Sequence, residues 1–105
     1  MERYAWKAEL RPGMLECYRS RHQNLWPEMK EMLHEAGIHN YTIWTDGKLL
    51  FGYYECEYGT EYAAQVQAKS PIGAKWEAFM QDVMVMEPDP ETNAQPHLEN
   101  VFILE

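Results

Sequence analysis

Hydrophobic and polar residues alternate along residues 3–10, with Tyr4, Trp6, Ala8 and Leu10 on one side and Arg3, Lys7 and Glu9 among those on the other. A period of two predicts a β-strand. Pro12-Gly13 stops it. Met14, Leu15, Cys17, Tyr18, His22 and Leu25 then recur every three or four positions, the spacing of one broad helical face. Pro27 cannot serve a helix interior but suits its first turn, so the chain is expected to bend over residues 24–27 and to form a second helical piece over 28–36. Gly37 is a natural C-terminal cap for that piece.

A strand is expected over residues 40–45, then a turn at Asp46-Gly47, the strongest short hairpin signal in the chain, then a second strand over 48–57. Thr60 opens a helical stretch to about Lys69, Ser70-Pro71 interrupts it, and a helix resumes over 72–84 with Trp76, Phe79, Met80 and Val83 on one face. Residues 87–97 are polar and punctuated by proline, which reads as a loop long enough to cover a pocket. Residues 101–104 read as a short final strand.

The order βαββαβ places the chain in the α+β class, on the ferredoxin-like plan: a four-stranded antiparallel sheet with the helices on one face. At 105 residues it is one domain, residues 1–105. Leu49, Leu50, Phe51, Tyr53, Tyr54 and Cys56 run almost continuously apolar, although helices cover only one side of such a sheet. A homodimer packed sheet to sheet accounts for the second apolar face.

Composition narrows the partners. Nine basic against 17 acidic residues give a net charge of −8, a field that repels nucleic acid and anionic membrane. No apolar run approaches the roughly 18 residues that span a bilayer. The first ten residues, MERYAWKAEL, lack the basic start and apolar middle of an export signal, so the cytoplasm is the expected location. Cys17 and Cys56 have no metal or redox spacing and read as small buried residues. Seven Tyr, four Trp and three Phe are the outstanding feature, and such residues line sites for neutral, hydroxyl-bearing ligands as well as cores.

No phosphate-binding glycine loop, dinucleotide fingerprint, nucleophile elbow or zinc-peptidase motif is present. His22, His34, His39 and His97 lack metal-ligand spacing, and His34 and His97 read as surface residues. The best constellation is Tyr18 with His22, because residues four apart on a helix point the same way and set a phenol beside an imidazole. A pocket between helix and sheet, walled by aromatic rings, suits a small polyol: rings stack on its carbon-hydrogen face while phenol, imidazole and amide groups bond its hydroxyls. Imidazole titrates near neutrality, so His22 is able to give and take a proton there. By periodicity alone Tyr18 and Trp76 read as core packing, and Arg19, Arg21, Glu28, Lys30 and Glu31 as a solvated helix face. Tyr41 faces either the helices or a partner subunit, since one residue of register reverses its direction.

Taken together, Tyr18-Arg-Ser-Arg-His22, Trp26-Pro27-Glu28, His39-Asn40-Tyr41, Leu49-Leu50-Phe51 and Trp76 with the run from Phe79 to Met84 resemble the L-rhamnose mutarotase family, almost end to end. The resemblance implies a dimeric α+β barrel enzyme that interconverts the α and β anomers of L-rhamnopyranose with neither cofactor nor metal. It implies that His22 is the proton donor and that Tyr18, Tyr41 and Trp76 bind the sugar. The family commonly carries a second tryptophan directly after the first; Glu77 stands there in this chain, which removes one stacking surface and leaves the acid-base position intact. In such a reaction His22 gives a proton to the ring oxygen on opening and recovers it on closure, with Tyr18 or a bound water as acceptor for the anomeric hydroxyl proton. A dimer of the same plan that only binds a small ligand, or a cofactor-free monooxygenase, is the alternative, because fold does not fix function.

Overall fold

The computed structural model describes residues 1–85 and 97–104. Its elements are β1 (Glu2–Leu10), α1 (Leu15–Gln23), α2 (Pro27–Glu35), β2 (Ile38–Asp46), β3 (Leu49–Cys56), α3 (Thr60–Lys69), α4 (Pro71–Met80) and β4 (Met84–Val85). The strands form one antiparallel sheet in the order β2-β3-β1-β4, which is the ferredoxin-like plan expected from the alternation of elements.

Local chemistry sets the boundaries. Trp26, held extended by the proline that follows it (φ −60°, ψ 136°), makes the break between α1 and α2, and Pro27 opens α2. Gly37, at φ 76°, ends that helical arm in a backbone conformation other residues resist. The first free N–H of α3, on Thr60, donates to Glu2 Oε1 at 2.6 Å, so a carboxylate from β1 sits on the positive end of that helix. Ser70 separates α3 from α4 and its hydroxyl oxygen accepts from the Gly73 N–H at 3.1 Å.

Opposed residues of neighbouring strands share a face, and the register Trp6↔Gly52↔Ile43 runs through the buried side of the sheet. Trp6, Ala8, Leu10, Leu50 and Tyr54 pack there against Tyr18, Met29, Met32, Trp76 and Met80 from the helices. The opposite face carries Lys7, Phe51 and Trp44 in register, and no helix of the described residues covers it.

Three expected element boundaries differ in the structure. The hairpin loop is Gly47-Lys48, with Asp46 opposite Leu49, one residue later than the Asp46-Gly47 turn; Gly47 supplies the positive φ of 61° at the first loop position. The second helical stretch ends at Met80 instead of running to residue 84. There the carbonyls of Gln81 and Val83 are taken by Arg11, through Nε at 2.8 Å and N–H at 2.9 Å, and Met84 and Val85 then pair with Leu10 and Glu9. The free edge of β1 has backbone groups to satisfy, and the chain leaving α4 satisfies them. The fourth strand is therefore Met84–Val85, while residues 101–104 form no strand and are exposed. Beyond it, His97 bridges to Trp6 and the Leu98 N–H reaches the Ala5 carbonyl at 2.7 Å on the same edge. Of the loop expected over 87–97, residues 87–96 lie outside the described residues.

Arg21 is likewise not a solvated side chain. Its guanidinium forks onto Asp82 at 2.7 and 3.0 Å, donates to the Phe79 carbonyl at 2.6 Å, and lies 4.1 Å from the centre of the Phe79 ring. That clamp ties α1 to the end of α4. Cys56 is buried as expected, whereas Cys17 is only half-buried.

Two backbone features aim side chains at the space under the helices. His39 is opposite Glu55 but Thr42 is opposite Tyr53, so Asn40 and Tyr41 together oppose one residue of β3. This is a β-bulge, with Asn40 at φ 50° and its amide donating to Glu55 Oε1 at 2.6 Å. The extra residue turns Tyr41 and Ile43 to the helix side, which decides the open question of where Tyr41 points. At Gly52 a β-carbon would overlap the indole of Trp6, so the bare backbone of β3 is what lets that indole lie flat across the strand. Gly52→Ala is expected to lower stability by about 1–3 kcal/mol, seen as a lower urea midpoint at unchanged slope. An unchanged midpoint would show that the indole moves aside freely.

Candidate active site

The space between sheet and helices is a cavity of about 510 Å³. Trp6, Tyr41, Ile43 and Leu50 come from the sheet, Tyr18 and His22 from α1, Met29 and Met32 from α2, and Trp76, Glu77 and Met80 from α4. Its size lies within the range of about 300–1,000 Å³ common for small-molecule sites, and its walls are apolar with a few convergent polar groups.

All four residues singled out from the sequence meet here. Tyr18 and His22, one helical turn apart, have ring centres 4.3 Å apart and tilted by 32°. Trp76 meets the imidazole edge-on, with centres 5.4 Å apart and planes at 90°. Tyr41 approaches from β2 across the cavity.

Sequence reasoning missed the residues that hold these four in place. Trp26 stands at right angles to Trp76 at 5.1 Å and stacks at a tilt on Phe79 at 5.2 Å, so the helix break carrying it braces the wall. Alternation places Trp6 on one side of a strand and no further; in the structure its indole Nε1–H donates to the Tyr41 hydroxyl oxygen at 3.0 Å. Tyr54 packs on Tyr41 at 4.9 Å and on Tyr4 at 5.0 Å. The Asn40-Tyr41 pair and the glycine at position 52 were the available signals, since asparagine tolerates the left-handed region and a strand glycine often marks a close approach.

The protonation state of His22 follows from its partner. A carbonyl oxygen only accepts, so the contact between His22 Nδ1 and the Tyr18 carbonyl at 3.0 Å requires the hydrogen to sit on Nδ1. Nε2 then carries the lone pair of the neutral ring, and among the described residues no protein group takes it. Burial pushes the imidazole pKa below its ordinary 6.5, opposed in part by the bond to the Tyr18 carbonyl. At neutral pH the ring is therefore uncharged and basic at Nε2. Burial also raises the pKa values of the Tyr18 and Tyr41 phenols well above their usual range, so both keep their protons and act as hydrogen-bond donors. Among the described residues no group of three His, Cys, Asp or Glu side chains comes together. His39 is engaged elsewhere, 2.8 Å from Glu57, and His34 and His97 are exposed.

His22 also links stability to pH. A histidine whose folded pKa is depressed is protonated more readily in the unfolded chain, so its contribution is complete above pH 6.5 and is lost as pH falls toward the lowered folded value. Titration of the His22 ring carbon-bound protons by NMR is expected to give a midpoint below 6.5. A midpoint above that value would mean that the ring rests charged.

Comparison with known proteins finds relatives that span the chain from end to end. A family described as L-rhamnose mutarotase matches residues 3–104. A protein of Lachnoclostridium phytofermentans called L-rhamnose mutarotase is 44% identical, with both chains covered in full. One of the same name from Sinorhizobium fredii is 43% identical over 99% of each chain. The crystal structure of an L-rhamnose mutarotase from Formosa agariphila superposes over the full length of both chains with a TM-score of 0.79 at 34% identity.

Proposed function

We propose that this chain, which belongs to the L-rhamnose mutarotase family, interconverts the α and β anomers of L-rhamnopyranose by opening and reclosing the sugar ring. The observation that carries the chemistry is His22 in the wall of an aromatic cavity of monosaccharide size, its Nδ1 bonded to the Tyr18 carbonyl and its Nε2 without a protein partner among the described residues. Ring opening takes the proton from the anomeric hydroxyl, forms the carbonyl at the first carbon, breaks that carbon's bond to the ring oxygen, and returns a proton to the ring oxygen. Both oxygens are bound to the same carbon, so one nitrogen serves both with little movement. His22 Nε2 takes the first proton and, as the imidazolium, supplies the ring oxygen. On closure it recovers that proton from the hydroxyl that becomes the ring oxygen and returns one to the carbonyl oxygen, which becomes the anomeric hydroxyl. Rotation about the first carbon-carbon bond between the two events inverts the anomeric centre.

The phenol of Tyr18, kept protonated by burial, is a poor acceptor for the anomeric proton and suits a donor to a sugar oxygen. Tyr41 donates from the opposite wall. Trp76 offers its indole to the carbon-hydrogen face of the pyranose. Two chains pair through the sheet face that bears Phe51 and Trp44, the latter 68% exposed, together with residues 101–104. An apolar face of that kind supports the homodimer reading. The enzyme acts in the cytoplasm on a neutral sugar; no helix of the described residues is long and apolar enough to cross a membrane.

Dissolving crystalline α-L-rhamnose and following its optical rotation tests the activity directly: the approach to equilibrium is expected to accelerate in proportion to enzyme, and a rate equal to buffer alone would reject it. His22→Ala is expected to lower the exchange rate by about 10²- to 10⁴-fold with the fold retained by circular dichroism. Tyr41→Phe and Trp76→Ala are expected to act mainly on KM. Because the working ring is neutral, kcat/KM is expected to decline as pH falls through the depressed His22 pKa and to level off above it. A rate that climbs toward acid pH would count against the neutral imidazole.

A further inference from the structure

Trp6 lies on β1 and Tyr41 on β2, and β3 runs between them. Their hydrogen bond therefore spans a whole strand. It exists because Gly52, the β3 residue opposite Trp6, leaves no side chain in the way, and because the Asn40 bulge brings Tyr41 to the same face. Trp6 is 3% exposed, while Tyr41 is 36% exposed and its ring packs on Tyr54 with centres 4.9 Å apart.

An indole N–H only donates, so in this pair the Tyr41 oxygen must accept, at 3.0 Å. Its own hydrogen has no protein acceptor among the described residues, and the side chain lines the cavity. From this geometry we infer that Trp6 is a positioning residue for the sugar site: by occupying the acceptor side of the Tyr41 hydroxyl, it commits the Tyr41 O–H hydrogen to a substrate oxygen. This rests on the reading of Tyr41 as a sugar ligand and adds to it a direction of bonding and the group that sets it. Without the indole N–H the phenol hydrogen is free to turn about the C–O bond and the oxygen to accept as well as to donate, so a preorganised donor becomes an adaptable one.

The test changes the donor without changing the shape. Placing benzothienylalanine at position 6 replaces the indole N–H with sulfur in a ring system of nearly the same size; Trp6→Phe and Tyr41→Phe are made alongside, and each replacement at position 6 is also made in the Tyr41→Phe background. Thermal melting checks that every variant folds, and the sulfur analogue remains informative where Trp6→Phe does not fold. The analogue is expected to raise KM for L-rhamnose about three- to ten-fold, the loss of roughly one hydrogen bond, with kcat changed by less than about two-fold. In the Tyr41→Phe background it is expected to change KM no further, since there is no hydroxyl left to aim. The indole N–H resonance absent from the spectrum of Trp6→Phe is expected to shift when L-rhamnose is added to the unaltered enzyme. An equal rise in KM with and without the Tyr41 hydroxyl would make Trp6 a packing residue and overturn the inference. So would an unchanged KM for the sulfur analogue alongside a raised KM for Tyr41→Phe. If Tyr41→Phe itself leaves KM unchanged, the reading of Tyr41 as a sugar ligand fails first and takes the positioning role with it.

Discussion

The indole of Trp6, laid over a strand that has no side chain beneath it and bonded to a phenol on the strand beyond, organises the floor of the site. Three unrelated local decisions have to agree for that contact to form. The alternation of β1 must send Trp6 inward, β3 must present glycine at position 52, and β2 must gain a residue at Asn40. Each feature weakens a sheet when taken alone, since a strand glycine packs nothing and a bulge interrupts the ladder. Together they place a large flat side chain where an ordinary alternating sheet would crowd it out. The site is thus a property of the sheet as much as of the helix that carries His22.

The helical layer contributes dryness and a tautomer. Burial disfavours the charged imidazole, and the bond from Nδ1 to the Tyr18 carbonyl decides which nitrogen faces the cavity. Among the described residues no carboxylate bonds to that ring, so no ion pair holds a second proton on it. The Arg21–Asp82 fork and the Trp26–Trp76–Phe79 stack join α1, the α2 entry and α4 into one roof. In the acid-base role proposed for His22, that balance serves a group that accepts and releases a proton better than a strong ion pair, which would fix one state.

Much of this was legible in the residues, wherever the signal was local. The alternation around Trp6, the break before Pro27, the stop at Gly37 and the start of α3 at Thr60 each depend on chemistry within a few positions, and each lies where the pattern put it, to within a residue or two. The pairing of Tyr18 with His22 follows from helical spacing alone. What escaped was non-local. The fourth strand is a response to the unpaired edge of β1, and residues 101–104, though richer in strand-forming side chains, do not take that edge. Tyr41 could not be oriented without knowing that Asn40 opens a bulge, and Trp6 could not be assigned a partner without knowing that Gly52 lies between them. Arg21 looked like a surface cation because its acceptor is sixty-one positions away.

Four methionines, Met29, Met32, Met80 and Met84, also line the cavity. Unbranched sulfur-containing chains reshape at little cost, whereas β-branched side chains hold one contour. A catalyst that equilibrates two epimers must hold both with comparable tightness, because preferential grip on either would trap it as a sink and slow the return journey. A compliant lining under a rigid aromatic frame allows one hydroxyl to swing between axial and equatorial settings while the remainder of the pyranose stays registered. Impartiality between the two configurations of a single carbon is thereby assigned to the softest atoms in the pocket.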